Sequence, residues 1–289
     1  MEHMEFDLRE MHIVQLNLLK KFVSVCKEQS LSYFLGFGTL LGAIREHGII
    51  EWDDGIDLVM PYSDYVKLNK LPKTVWGQGC FLQTYDSDPE FNKYYAKLRD
   101  NNTTLVLADD AGRDMNHGIP INIYPVINLT DNEEERRKQI RNAKLYKAFT
   151  EQKPVSSDDA LLRVFSSALL EVMTEHQKIR LRDYLKRETI KFEEEDTNCC
   201  LVLAGSKSLD LVLFKTWFSS SVLWEFSGMQ VSVPAGWREW LKIRYGDFMQ
   251  MPITDLQGNK ISDFVTLNPH KPYTYYKGRT YCVLSDQDF

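Results

Sequence analysis

Between Gly36 and Asp57 the chain reads GFGTLLGAIREHGIIEWDDGID, the densest set of chemically capable residues in the sequence. Gly36, Gly38 and Thr39 make a Gly-x-Gly-Thr turn ahead of a short helical stretch. A helix start offers unpaired backbone N–H groups and a favourable dipole to phosphate. Arg45 and His47 follow, and then Asp53, Asp54 and Asp57 surround Gly55 at the mouth of an apolar strand. Carboxylates at a strand end suit Mg²⁺, which takes oxygen ligands and shares them with substrate phosphates. Two such ions can flank an in-line displacement at phosphorus. Side chains alternate along a strand, so Gly55 and Asp57 share a face, with Asp53 beside them. Asp54 faces away unless a turn or bulge re-aims it. An acidic cluster beside glycine is also an ordinary solvated turn. The coupling of both features around one helix is what points to phosphate and metal.

Other groups carry two readings each. Lys97 and Arg99 alternate on an expected strand and share a face; they either neutralise a diphosphate or pair with acids on an exposed sheet. His117 is either a general base for an acceptor hydroxyl or a structural histidine; Asp57 is the stronger choice for that base. Trp52, Tyr94, Tyr95, Trp217 and Trp224 either include a cage for a quaternary ammonium group or are core aromatics.

The elements that must position these residues follow from periodicity. Residues 6–29 have helical apolar spacing. Residues 32–37 read as a buried strand, 39–46 as a short helix with Thr39 near its N-cap, and 56–60 as a strand ended by Pro61. Ser63 is placed to cap a helix running to Leu71. Strands are expected over 81–84, 94–99, 103–107 and 118–124. Dense charge with helical periodicity then covers 132–151, 157–174 and 176–194. A hairpin over 222–226 and 230–233 turns at Gly228, a helix spans 236–245, and the tail from Ile261 reads as irregular. The organisation is one domain over 1–289: a core over 1–130, a helical lobe over 131–195, and a mixed segment over 196–289 that completes the site. Within the lobe, Lys178, Arg180, Arg182, Lys186 and Arg187 lie among acids, which favours a scaffold over a glycan or membrane dock.

Composition sets outer limits. A net charge of -6 argues against a generic nucleic-acid coat. The apolar runs are far shorter than a membrane span requires. Five cysteines without a CxxC pair, behind an acidic start, read as reduced thiols in a cytoplasm. No HExxH spacing suggests a zinc protease, and no repeat is visible.

The block GTLLGAIREHGIIEWDDGIDLVMP resembles the signature of the LicD family, which includes the catalytic domains of fukutin and fukutin-related protein. YYAKLRDNNTTLV at 94–106, HGIPINIYP at 117–125, TWF at 216–218, the segment from Glu225 to Gly236, and YGDFMQMP at 245–252 follow in the family's order. The resemblance implies an α/β (α+β) fold, a nucleotidyltransferase-type mixed sheet flanked by helices. It implies a phosphotransfer dependent on Mg²⁺ or Mn²⁺, from a CDP-linked alcohol donor to a glycan or lipid-linked glycan acceptor, as in decorating cell-surface polysaccharide or teichoic acid. Phosphocholine is the first expectation, with ribitol or glycerol phosphate as alternatives. No nucleic acid is involved, and contact with a membrane is at most peripheral.

By the same resemblance, Gly38 and Thr39 form the phosphate-side turn, and Arg45 is the basic residue after it. Trp52, Asp53, Asp54 and Asp57 form the Trp-Asp block, Lys97, Arg99 and Asp100 the KLRD run, and Tyr245–Asp247 the YGD run. Asp57, Asp53 and Asp54 are then the metal and catalytic carboxylates. Two positions depart from the pattern. Gly55 stands where the family carries a third Asp of WDDDID, and Asn122 replaces the Asp of GIFIDIFP. Glycine supplies no ligand and Asn122 only a neutral carbonyl oxygen, so metal binding is weakened. Three readings stand: Asp54 swings in, the chain binds without turnover, or the substitutions inactivate it.

Overall fold

The computed structural model describes residues 8–250 and 263–283. The first residues of the expected N-terminal helix, the end of the 245–252 motif, the first residues of the expected tail and the last six residues lie outside them. Helix α1 (Leu8–Glu28) turns Met11, Leu18, Leu19, Phe22, Val25 and Cys26 inward. It is followed by β1 (Phe34–Leu35), α2 (Phe37–Arg45), β2 (Asp57–Pro61) and α3 (Tyr62–Asn69). Then come β3 (Cys80–Gln83), β4 (Ala96–Asp100), β5 (Thr104–Leu107) and the long β6 (Ile119–Leu129). Three helices follow, α4 (Glu133–Glu151), α5 (Ala160–Val172) and α6 (Glu175–Thr189). The chain continues through β7 (Cys199–Val202), β8 (Leu213–Phe214), the hairpin β9 (Ser221–Phe226) and β10 (Met229–Pro234), α7 (Trp237–Tyr245) and β11 (Phe264–Asn268).

The fold is α+β, as expected. Its main sheet runs β1-β2-β6-β4-β3, with β7 joined to β6 and β8 to β7. The β2–β6 pair is parallel and the other pairings are antiparallel. Alternation divides the central strands by face. Leu58, Met60, Ala96, Leu98, Ile121 and Ile123 enter the core that also holds Leu18, Leu19 and Phe22 of α1. Asp57, Lys97 and Asn122 take the opposite parity.

Strand β6 serves two cores because it is eleven residues long. Its first half joins β2 and β4, while Ile127 and Leu129 pack with Leu201, Phe149 and Leu185 in a second cluster under the helical lobe. Gln139 of α4 ties that lobe down by donating to the carbonyls of Asn128 (2.9 Å) and Thr189 (2.7 Å).

Several boundaries differ from expectation. Helix α2 starts at Phe37 with Gly36 at its N-cap, so Thr39 lies inside the first turn and is no cap. The strand before it shrinks to two residues for the same reason. Helix α3 starts at Tyr62 behind Pro61, without a side-chain cap from Ser63. The tail is not irregular throughout: β11 pairs antiparallel with β5, from Phe264 opposite Leu107 to Asn268 opposite Thr104. That pairing spans most of the chain, and local periodicity carries no information about such a partner.

Gly118, at the head of β6, sits where a Cβ would overlap the Asp100 carbonyl oxygen of β4. Neither backbone can yield without breaking the β4–β6 ladder. Gly118→Ala is expected to destabilise the protein by about 1–3 kcal/mol, read as a lower midpoint in urea unfolding. An unchanged midpoint would show that the two strands are not held that closely.

Candidate functional site

The site is built by strand register. Asp57 of β2 lies opposite Asn122 of β6, and Asn122 lies opposite Lys97 of β4. Three residues far apart in sequence thus form one row across three strands, with side chains on one face. Asn122 Nδ2 donates to Asp57 Oδ1 at 2.9 Å. The row opens into a cavity of about 200 Å³, also lined by Asp54, Gly55, Gln15 and Tyr124.

The segment leading into β2 is held from two sides. Thr39 Oγ1 accepts from the Asp57 N–H at 2.8 Å and donates to the Gly55 carbonyl at 3.5 Å. Gln15 of α1 donates through Nε2 to the carbonyls of Asp54 (3.3 Å) and Pro120 (3.2 Å). His12 Nε2 lies 2.7 Å from the Asp53 carbonyl. Strand geometry begins only at Asp57, so alternation does not extend back to Asp53. Asp54 is therefore the carboxylate that shares the cavity with Asp57. The Asp53 carboxylate is instead pressed against Gly38, where a Cβ would overlap it. This places a protein carboxylate at the first turn of α2, a position that favours an anion. It is also the turn expected to receive phosphate.

Electrostatics follow from burial. Lys97 is 6% exposed, and burial followed by repulsion from Arg99 pushes its pKa down to about 7. Asp57 is pushed up, chiefly by burial, although the Asn122 hydrogen bond opposes the shift. Tyr124 is raised well above the usual phenol range, first by burial and then by Asp57. Arg99 does not line this cavity. It is buried beneath the sheet end, donating to Gln83 Oε1 and to the Gly118 carbonyl (2.6 Å), and burial lowers its pKa to about 10.

Two buried oxygens here lack a hydrogen-bond partner, Asn122 Oδ1 and Gln15 Oε1. With Asp54 and Asp57 they give an oxygen-only donor set of two carboxylates and two amides. Among the described residues no three His, Cys, Asp or Glu side chains gather in a group able to hold a metal. A Cβ at Gly55 would lie 3.6 Å from Asn122 Nδ2. The two departures from the expected carboxylate pattern are therefore neighbours and thin out one corner of the site.

The remaining sequence-selected residues are dispersed. Arg45 pairs with Glu46 at 2.7 Å beyond the cavity. Trp52 is half-buried in the turn before Asp53 and does not line it. His117 is buried, with Nε2 3.0 Å from the Arg113 carbonyl and its ring 4.3 Å from that of Tyr281, and burial lowers its pKa. Of the five aromatics, Tyr94 and Tyr95 meet edge to face at 5.5 Å. Trp217 instead covers Gly236, and Trp224 Nε1 donates to the Ala43 carbonyl at 2.9 Å. They do not form one cage.

Gln15, Tyr124 and Phe264 are cavity residues that sequence spacing did not select. Gln15 carried a usable signal, a polar side chain on the apolar stripe of α1. Tyr124 follows from Asn122 by strand alternation. Phe264 carried none, because it arrives through the distant β11–β5 pairing.

The class is thus an α+β protein with a carboxylate-, amide- and lysine-lined cavity at the head of its parallel strand pair. The LicD/FKTN/FKRP nucleotidyltransferase domain matches residues 30–110, which include α2, β2 and β4. Over 258 residues the chain is 30% identical to the lipopolysaccharide cholinephosphotransferase LicD of Haemophilus influenzae, covering 85% of this chain and 92% of that relative. The chain belongs to the LicD family.

Thr39 has a distinct signature in this arrangement. Thr39→Ala leaves the Asp57 N–H without its acceptor and is expected to cost about 1–3 kcal/mol. Thr39→Ser keeps the hydroxyl and should recover most of the loss. Chemical denaturation of both variants checks this; equal losses would show that the methyl group matters and the hydrogen bond does not.

Proposed function

We propose that this protein transfers a phosphorylated alcohol, phosphocholine in the first instance, from a CDP-linked donor to a hydroxyl of a cell-surface glycan. The observation that carries the reading is the Asp57–Asn122–Lys97 row facing one cavity, in a chain whose relative is a cholinephosphotransferase. Lys97 is the cation for the donor diphosphate, in a buried setting where charge is weakly screened. Asp57 accepts the proton of the acceptor hydroxyl. That oxygen attacks the β-phosphorus and CMP leaves. Asp54, Asp57, Asn122 Oδ1 and Gln15 Oε1 would hold a divalent cation such as Mg²⁺. When bound, the ion supplies positive charge to the diphosphate oxygens. Because Asp53 lies against Gly38, we place the phosphates toward Lys97 and away from the first turn of α2.

A second reading, binding of nucleotide or glycan without turnover, is favoured by the adjacency of Gly55 and Asn122. The decisive measurement is CMP release from CDP-choline, CDP-ribitol or CDP-glycerol with Mg²⁺ and a panel of glycan acceptors. Release with one donor–acceptor pair is expected, abolished by Asp57→Ala. No release from a protein that still binds CDP would establish the second reading. In that event Gly55→Asp with Asn122→Asp should restore turnover, since both carboxylates would enter the same corner.

Lys97 adds a pH dependence. Its folded pKa lies below the ordinary lysine value of 10.5, so the buried ammonium opposes folding below about 7. Stability gains as pH rises from there toward 10.5, where the unfolded chain still holds the proton. Anion binding should run the other way. If the ammonium form binds CDP, affinity falls about tenfold between about pH 6 and 8, and Lys97→Met flattens the profile. Calorimetric titration over that range checks this; a flat wild-type profile would remove Lys97 from the diphosphate.

A further inference from the structure

A second cavity, of about 310 Å³, lies between α3, the helical lobe and the start of β4. Six tyrosines line it: Tyr62, Tyr65, Tyr85, Tyr94, Tyr95 and Tyr146. Lys70, Lys93 and Lys186 also line it, with Asp86 as the opposing charge. Among the described residues neither Lys70 nor Lys186 has a carboxylate within ion-pair distance. The Arg182 guanidinium lies 4.0 Å from the Tyr85 ring at the rim, but it is paired with Asp183 at 2.7 Å, and Lys93 lies 3.8 Å from Asp110. Lys70 and Lys186 against the one lining carboxylate, Asp86, leave a net positive charge that disfavours a quaternary ammonium group and attracts an anion.

The aromatic geometry narrows the class. Tyr62 and Tyr65 already stack on one another, and Tyr94 meets Tyr95 and Tyr146 edge to face. The rings offer separate faces and edges, and no parallel slot for a planar base. Tyrosines combine apolar faces for sugar C–H groups with hydroxyls that both donate and accept. The volume sits at the small end of ligand cavities and suits one sugar unit. The Tyr95 ring lies 4.5 Å from that of Tyr124, which lines the Asp57 cavity. The two cavities therefore share a wall.

We propose that this tyrosine- and lysine-lined cavity binds an acidic sugar unit of the acceptor, one bearing a carboxylate or phosphate. It would anchor the glycan while a neighbouring unit presents its hydroxyl to Asp57. The role as acceptor anchor rests on the transferase reading; the binding of an acidic sugar does not.

The test is saturation-transfer NMR on the full chain with glucuronate, glucose 6-phosphate, glucose and inorganic phosphate as probes. Ring-proton signals are expected with glucuronate or glucose 6-phosphate, and at least fivefold weaker binding with glucose. Exposed Lys70 and Lys186 tolerate charge reversal, so Lys70→Glu and Lys186→Glu should each weaken the acidic sugar at least fivefold and leave CDP affinity unchanged. The proposal is overturned if no acidic sugar binds, if Lys186→Glu is without effect, or if CDP or phosphate alone displaces the sugar. Sugar binding without any CMP release would sink the transferase reading and leave the cavity's ligand class standing.

Discussion

The site depends on one pairing, the parallel contact of β2 with β6. Parallel neighbours require a long crossover, here everything from α3 to β5, so Asp57 and Asn122 meet only after that chain has folded back. Once they do, register fixes the rest. A slip by one residue would exchange Asn122 for Ile121 or Ile123 and turn a core side chain into the cavity. The apolar partners of opposite parity, Leu58, Leu98 and Ile121 among them, are buried with α1 and oppose such a slip. Hydrophobic burial on one face of the sheet thus positions polar chemistry on the other.

The cost of that arrangement is visible in the groups it buries. Lys97 is held where its ammonium is disfavoured, Asp57 where its carboxylate is disfavoured, and the amide oxygens of Asn122 and Gln15 go unpaired. Buried polar groups without partners are costly in a finished core, and they cluster where a ligand completes them. By contrast Arg99, equally buried, has its Nε and Nη1 donors matched by Gln83 and the Gly118 carbonyl. Two basic residues two positions apart on one strand therefore differ in kind. One supports the frame and the other faces the cavity.

The departures at Gly55 and Asn122 take their meaning from this geometry. Against the carboxylate pattern that the family resemblance implies, each would remove a negative charge from the same corner, beside a lysine whose pKa burial pushes down to about 7. The low pKa of Lys97 itself comes from burial and from Arg99, so the expected pH dependence does not rest on the two substitutions.

The sequence by itself determined the residue types and most of the elements, though not β11 or several boundaries. The apolar stripe of α1, the charged helices of the lobe and the hairpin around Gly228 were legible because their spacing is local. The block from Gly36 to Asp57 and its family resemblance were legible because glycines, a threonine and acids lie close together in the chain. Only the tertiary structure decided which of them converge. It moved Asp53 onto Gly38, brought Asp54 to the cavity, gave Thr39 to the Asp57 backbone, and drew in Gln15 and Phe264 from either end of the described chain. The physical reason is that side-chain alternation is a local rule that starts where a strand starts. Which strand lies alongside, and in what register, is settled by burying apolar surface between segments that no local pattern connects.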